Sequence, residues 1–272
     1  MRSQALRITA MPNVFVTTSW DDEDRSGLKV AELLSRHGLR GTFYVPTGRL
    51  GQESCFTAED LRTLSASGFE IGAHTVSHAI LPDLAPKELD REVSDCKSRL
   101  QEILGAEVTM FCYPKGRFNR EVVGAVRRAG YGGARSTQML NSSATFERFA
   151  IPTTLQAYPH RRSNYVRNLL RLRAGGALLR SIPELISFSG WLDLGKARFD
   201  RVLRQGGVWH LYGHPWEIEQ LGLWPQLNQM LEYVSGRANM QYVTNGKLLS
   251  FAKDVEMRDP ELTNQPPQSV AH

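Results

Sequence analysis

Short apolar segments alternate with amphipathic ones along most of the chain, and this alternation restricts the fold more than any other feature. The run Val14 to Ser19 ("VFVTTS") is rich in β-branched and aromatic residues and reads as a strand. The next segment, "LKVAELLSRHG", places Leu28, Ala31, Leu33 and Leu34 at helical spacing and stops at Gly38. The pattern then repeats. "GTFYVP" is a strand, "TAEDLRTLSASG" a helix capped by Thr57, and "FEIGAH" a strand. "APKELDREVSDCKSRLQEILG" is a long helix ending at Gly105, "EVTMFCYP" a strand, and "NREVVGAVRRAG" a helix capped by Asn119. "YGGARS" and "RFAIPT" read as further strands. Near the C-terminus "GKARFDRVLRQGG", "VWHLYGH", "LWPQLNQMLEYVSG", "MQYVTN" and "GKLLSFAKD" resume as helix, strand, helix, strand and closing helix. Strands joined through helices of this length build right-handed βαβ units and a parallel sheet. About seven or eight such units predict a distorted or incomplete (β/α) barrel rather than a doubly wound sheet.

The 272 residues suit one large domain, placed at 14–255, after an N-terminal extension at 1–13. The tail 256–272 is polar and Pro-rich and is expected to be disordered. Residues 160–190 break the alternation as a basic helical insertion, with several arginines and no acid from His160 to Arg180. Such a face either lies solvated over the barrel or touches a membrane surface or a diphosphate at 160–180. No run approaches the ~20 apolar residues of a membrane span, and the first residues lack an apolar leader, so a cytoplasmic protein is expected. Cys55, Cys96 and Cys112 are odd in number and lack C-x-x-C spacing, which predicts reduced, buried thiols. The net charge of +5 would favour an anionic substrate or surface. No zinc-finger, phosphate-loop or RNA-binding aromatic signature is present, so no nucleic acid partner is expected.

In a barrel the reactive groups stand at the C-terminal ends of the strands. The first strand ends in "WDDED", with Asp21 and Asp22 adjacent. The third is followed by "HTVSH", with His74 and His78. The fourth runs into "CYPKG", and the late strand at Val208 into "HLYGHPWE". One Asp and two His make a good ligand set for a divalent ion that keeps open positions. The spacing of His74 and His78 would put both rings on one side of a helical turn.

These motifs together resemble the polysaccharide deacetylase (NodB homology) family, carbohydrate esterase family 4. "TSWDDED" resembles its first motif, "HTVSH" its second, "CYPKG" its third and "YGHPWE" its last. The match runs from about Val14 to Phe251. The resemblance implies that Asp22, His74 and His78 bind one divalent ion, zinc first, with cobalt, nickel or manganese as alternatives. It implies Asp21 as general base and His214 as the acid that protonates the leaving amine. The turn Tyr113, Pro114 and Lys115 would face substrate, with the Lys115 backbone N–H stabilising the oxyanion. Tyr212, with Leu211, would form the pocket for the acetyl methyl, and Trp216 a substrate wall.

Two departures from the family pattern raise expectations of their own. Cys112 stands where the family has an arginine that orients the catalytic carboxylate. Arg135, after the "YGGA" segment, is expected to pair with Asp21 instead, with Arg117 in reserve. The family's motif-four Asp has no counterpart, so His214 needs another acceptor, and Glu217 is near in sequence. His210 competes with His214 as the acid, although a histidine inside a strand more often has a structural role. Glu23 and Asp24 are expected in a solvated loop, and His37 and His160 on the surface. The implied activity is removal of an acetyl group from an N-acetylated amino sugar, in a glycan, a glycoconjugate or a lipid- or nucleotide-linked precursor. The alternatives are hydrolysis of a non-sugar amide such as a cyclic imide or ureide, and a degenerate, metal-free sugar-binding protein.

Overall fold

A computed structural model describes residues 13–171, 188–251 and 253–254. The expectations for residues 1–12, for 172–187 of the basic insertion and for the tail 256–272 lie outside the described residues.

The strands are β1 (Val14–Asp21), β2 (Gly41–Val45), β3 (Glu70–Ala73), β4 (Met110–Cys112), β5 (Gly133–Arg135), β6 (Thr145–Phe146), β7 (Leu155–Gln156), β8 (Gly207–Gly213), β9 (Met240–Tyr242) and β10 (Lys253–Asp254). The helices are α1 (Ser26–Arg36), α2 (Ala58–Ala66), α3 (Pro86–Leu104), α4 (Arg120–Arg128), α5 (Arg162–Arg171), α6 (Trp191–Gln205), α7 (Pro215–Gln220), α8 (Trp224–Val234) and α9 (Asn245–Leu249). The main sheet runs β5-β4-β3-β2-β1-β8-β7, with β9 pairing the opening residues of β1. All its pairings are parallel, and β6 and β10 form a separate parallel pair. The expected incomplete (β/α) barrel is therefore the fold.

The helix expectations follow from capping and pattern. Thr57 accepts from Asp60 N–H while Asp60 answers the Thr57 N–H, a reciprocal capping box at the start of α2. The Asn119 side chain caps α4 at Val122 N–H. Gly105 closes α3 at a φ of 64°, a left-handed position that favours glycine.

Side chains on β1 alternate between two layers. Val14, Val16 and Trp20 pack into the core shared with the helices, while Phe15 joins the smaller core inside the curled sheet. Thr17, Ser19 and Asp21 share the inward face with Phe15. Thr17 Oγ1 donates to Asn245 at 2.9 Å, which ties α9 across the open end of the sheet. Asn245 also donates to the Tyr44 hydroxyl at 2.9 Å. Gly72 makes room for Tyr44: a Cβ there would meet the tyrosine ring at 2.5 Å.

Three elements differ from the sequence expectation. "RFAIPT" forms no strand; it bridges β5 only through Ile151 opposite Arg135. The chain then pairs with β8 at Leu155 and Gln156, so one irregular segment spans the gap between the sheet edges. The closing helix ends at Leu249, and Lys253 and Asp254 pair with Thr145 and Phe146 instead. A short helix, α7, follows His214, started by Pro215 at its first turn.

Candidate active site

Consecutive strand residues point to opposite faces, so Asp21 and Asp22 would normally diverge. Asp21 is the last inward residue of β1. Asp22 leaves the strand at a φ of 77°, a left-handed conformation that aspartate tolerates better than most residues. Its N–H still donates to Tyr44 O at 3.1 Å. The turn keeps both carboxylates at one mouth.

His74 and His78 reach the same mouth from the loop after β3. This loop is not a helical turn, contrary to the spacing argument: Thr75 and His78 have φ of 69° and 59°. Glu92 on α3 holds the bend, accepting from the N–H groups of Val76 and Ser77 at 2.9 Å each and from the Ser77 hydroxyl at 2.7 Å. His74 Nδ1–H donates to Cys112 O at 2.8 Å, which leaves Nε2 unprotonated and turned to Asp22. Burial, and then the neighbouring His78, push the His74 imidazole down to about 4.

Asp22 Oδ1 lies 3.5 Å from His78 Nε2 and 3.9 Å from His74 Nε2. Ligands about 2.1 Å from a tetrahedral ion stand roughly 3.4 Å apart, so the three side chains fit a small divalent cation. Their donor types, two imidazole nitrogens and one carboxylate oxygen, suit zinc and its neighbours. A second group, Asp21, His74 and Cys112, also converges. It suits an ion less well, because Arg135 already neutralises Asp21 and burial pushes the Cys112 thiol well up, away from the thiolate.

Asp21 is buried against Arg135, whose Nη2 meets both carboxylate oxygens. Burial works to raise the Asp21 carboxyl, but the charge of Arg135, with His74 and His214, holds it below its ordinary value. The Cys112 thiol adds a weak contact at 3.9 Å. Arg135 itself lies between the rings of Tyr44 and Tyr212, its guanidinium carbon 5.4 and 4.8 Å from their centroids. Arg117, the reserve candidate, faces Asp83 at 3.4 Å instead.

His214 Nε2 lies 3.8 Å from Asp21 Oδ2. Its Nδ1–H donates to Glu217 Oε2 at 2.7 Å. Burial opposes the charged form, yet the Glu217 hydrogen bond and the carboxylates of Asp22, Glu217 and Asp21 push the imidazole up to about 9. Gln156 on β7 supports this pair: it donates to Glu217 at 3.0 Å and accepts from Tyr212 at 2.8 Å and from His160 at 2.7 Å. His160 is thus half-buried rather than a surface residue. His210 makes different contacts. It donates from Nδ1 to Pro152 O at 3.0 Å and accepts from Ser19 at 2.9 Å, so both its nitrogens are committed inside the barrel.

The remaining candidates separate. Tyr113 does not face the mouth as expected: its ring stacks on Phe118 at 4.3 Å and its hydroxyl donates to Phe149 O at 2.9 Å, both in the core. Pro114 is buried too, while Lys115 occupies a left-handed position (φ 54°) with its side chain exposed. Tyr212 is buried against Arg135 and Gln156, supporting the charged groups rather than forming a pocket with Leu211, which points into the helix-side core. Glu23 is buried rather than solvated, paired to Arg49 at 3.0 Å, and Asp24 accepts from Ser26 N–H at the start of α1. A cleft of about 400 Å³ opens here, lined by Asp22, Arg49, Val76, His78, Trp216 and Gln220 among others. Glu217 takes the acceptor place the sequence offered for His214, whereas Glu92 and Gln156 escape sequence reasoning, since no motif marks them and their partners fold in from elsewhere.

The curled parallel sheet that carries this mouth is similar in fold to solved polysaccharide deacetylase structures. The chain matches the family model described as polysaccharide deacetylase over residues 10–134. Among curated proteins it is 27% identical over 99 residues to the polysaccharide deacetylase-like YxkH of Bacillus subtilis (strain 168), covering 36% of each chain. It is 28% identical over 121 residues to a chitin deacetylase of Pestalotiopsis sp, covering 44% of this chain and 40% of that one. The matches thus span well under half of these relatives. A solved structure of a polysaccharide deacetylase homologue from Mycobacterium smegmatis covers 96% of this chain and 99% of its own, with a TM-score of 0.67 at 14% identity, a likeness of fold.

Proposed function

We propose that this protein is a metal-dependent hydrolase that removes the acetyl group from an N-acetylated amino sugar. The observation that supports it best is the convergence of Asp22, His74 and His78 beside the Asp21–His214 pair. The divalent ion that Asp22, His74 and His78 would hold supplies Lewis acidity, which lowers the pKa of water and polarises an amide carbonyl. Asp21 is an anion at neutral pH and accepts the proton of the attacking water. Its depressed pKa makes it a weak base, so it serves only a strongly acidified donor. Arg135 keeps the carboxylate charged and fixed in place. His214, charged at neutral pH and oriented by Glu217, gives its proton to the amine nitrogen as the C–N bond breaks. The Lys115 N–H is the donor proposed for the carbonyl oxygen. The products are acetate and a free amino sugar.

The relatives, a polysaccharide deacetylase-like protein and a chitin deacetylase, favour a polysaccharide or chitin-type substrate for this site. The test is acetate release from N-acetylated sugar oligomers by purified protein, with chelator and metal add-back. Release that is lost with chelator and restored by zinc is expected. No acetate from any N-acetyl sugar, with turnover of cyclic imides instead, would replace this reading with imide hydrolysis.

A further inference from the structure

We infer that Trp216 is a positioning residue for Asp22, fastening the segment that carries His214 to the metal-binding carboxylate. The indole Nε1–H donates to Asp22 Oδ2 at 2.8 Å across 194 residues of sequence. The other oxygen, Oδ1, faces His78 and His74 at 3.5 and 3.9 Å. The two oxygens of one carboxylate are thus divided between the indole and the histidines. Asp22 needs such a tether, because it stands past the end of β1 at a left-handed φ and its side chain is partly open to the cleft. Without a partner on Oδ2 the carboxylate can rotate and withdraw Oδ1 from the imidazoles.

An indole N–H suits this task. It donates only, so it never competes for a cation, and it does not titrate. Hydrogen-bond partners behind metal ligands typically contribute 10–100-fold in metal affinity. The same residue sits two positions after His214, with the two rings 5.7 Å apart and tilted by 38°. His214 stands at the N-cap of one short helix that carries both its orienting Glu217 and the indole on Asp22. This places the acid at a fixed distance from the ion site.

The inference rests on the metal-site reading above, and its test separates the two. Zinc affinity is measured by competition with a chromogenic chelator for the full chain, W216F, D22A and the double variant W216F/D22A. Phenylalanine keeps the ring in the cleft wall and removes only the N–H. The expectation is a roughly 10-fold weaker affinity in W216F, a partial return in W216H, and no further loss when W216F is added to D22A. Circular dichroism of the metal-free proteins checks that the fold is kept. Zinc affinity unchanged in folded W216F, or an equal loss from W216F in the D22A background, would overturn the tether. A full chain that binds no zinc would overturn the metal-site reading, and the tether with it.

Discussion

The pairing of Asp21 with Arg135 decides whether the site holds a usable carboxylate. Both groups are buried, and removing one partner of a buried pair typically costs about 3–5 kcal/mol, because the other charge is left uncompensated. In R135A that cost is relieved by protonating Asp21, which then cannot accept a proton. Turnover in R135A should fall at least ~100-fold while zinc content stays at the full chain's level; steady-state rates and elemental analysis check both. Lysine should restore little, since one ammonium does not reproduce the planar guanidinium between Tyr44 and Tyr212. His214 gives a second expectation. With its pKa pushed up to about 9, kcat/KM should decline as pH rises through that value, since the proton of the proposed acid is then lost. Burial works against the charged imidazole, and Glu217 is first among the groups that favour it. E217Q should therefore move the alkaline limb to lower pH, as a pH–rate profile would show. At this scale the sequence exposed the groups proposed to react, each lying at or just past a strand end. It did not expose their supports: Gln156 meets Glu217 across 61 positions, and Trp216 meets Asp22 across 194.

Between β3 and α3 the loop bearing both histidines depends on one side chain. Glu92 takes up two backbone N–H groups and a hydroxyl there, so E92A leaves the bend without its internal partners. Each lost hydrogen bond of this kind contributes about 1 kcal/mol. E92A should bind zinc more weakly and unfold at lower urea, whereas substitutions on the exposed far side of α3 should do neither. Legibility at this level follows periodicity. β1, α1, α3 and α4 have enough residues for a repeat to register, and their caps stand in the sequence. The segment around Ile151 does not, because it meets β5 at a single bridge and β8 at two residues. The H-x-x-x-H spacing misled for a related reason. Residues four apart share a helix face only where the backbone is helical, and the positive φ of Thr75 and His78 excludes that.

Across the molecule, neutral histidines inside the fold set its response to acid. Burial, and then the charge of Arg135, push His210 down to about 3, against about 6.5 in an unfolded chain. Burial pushes His160 down to about 4. The unfolded chain binds these protons first, so stability is complete above about pH 6.5 and falls as pH drops toward 3–4. For His210 the loss at pH 5 is about 2 kcal/mol. His214 acts in the opposite sense: its contribution is present in acid and fades as pH rises toward 9. Urea midpoints at pH 5 and pH 7 should differ clearly for the full chain and less for H210Q. The sheet order has one more consequence. Strand β1 is central: β2 and, beside its opening residues, β9 flank one edge, and β8, which begins only at Gly207, flanks the other. During synthesis β1 can find β2 early, but its other edge stays bare until β8 has been made. A nascent chain should therefore lean on chaperones until β8 emerges, and a fragment ending where the family match ends should aggregate rather than fold.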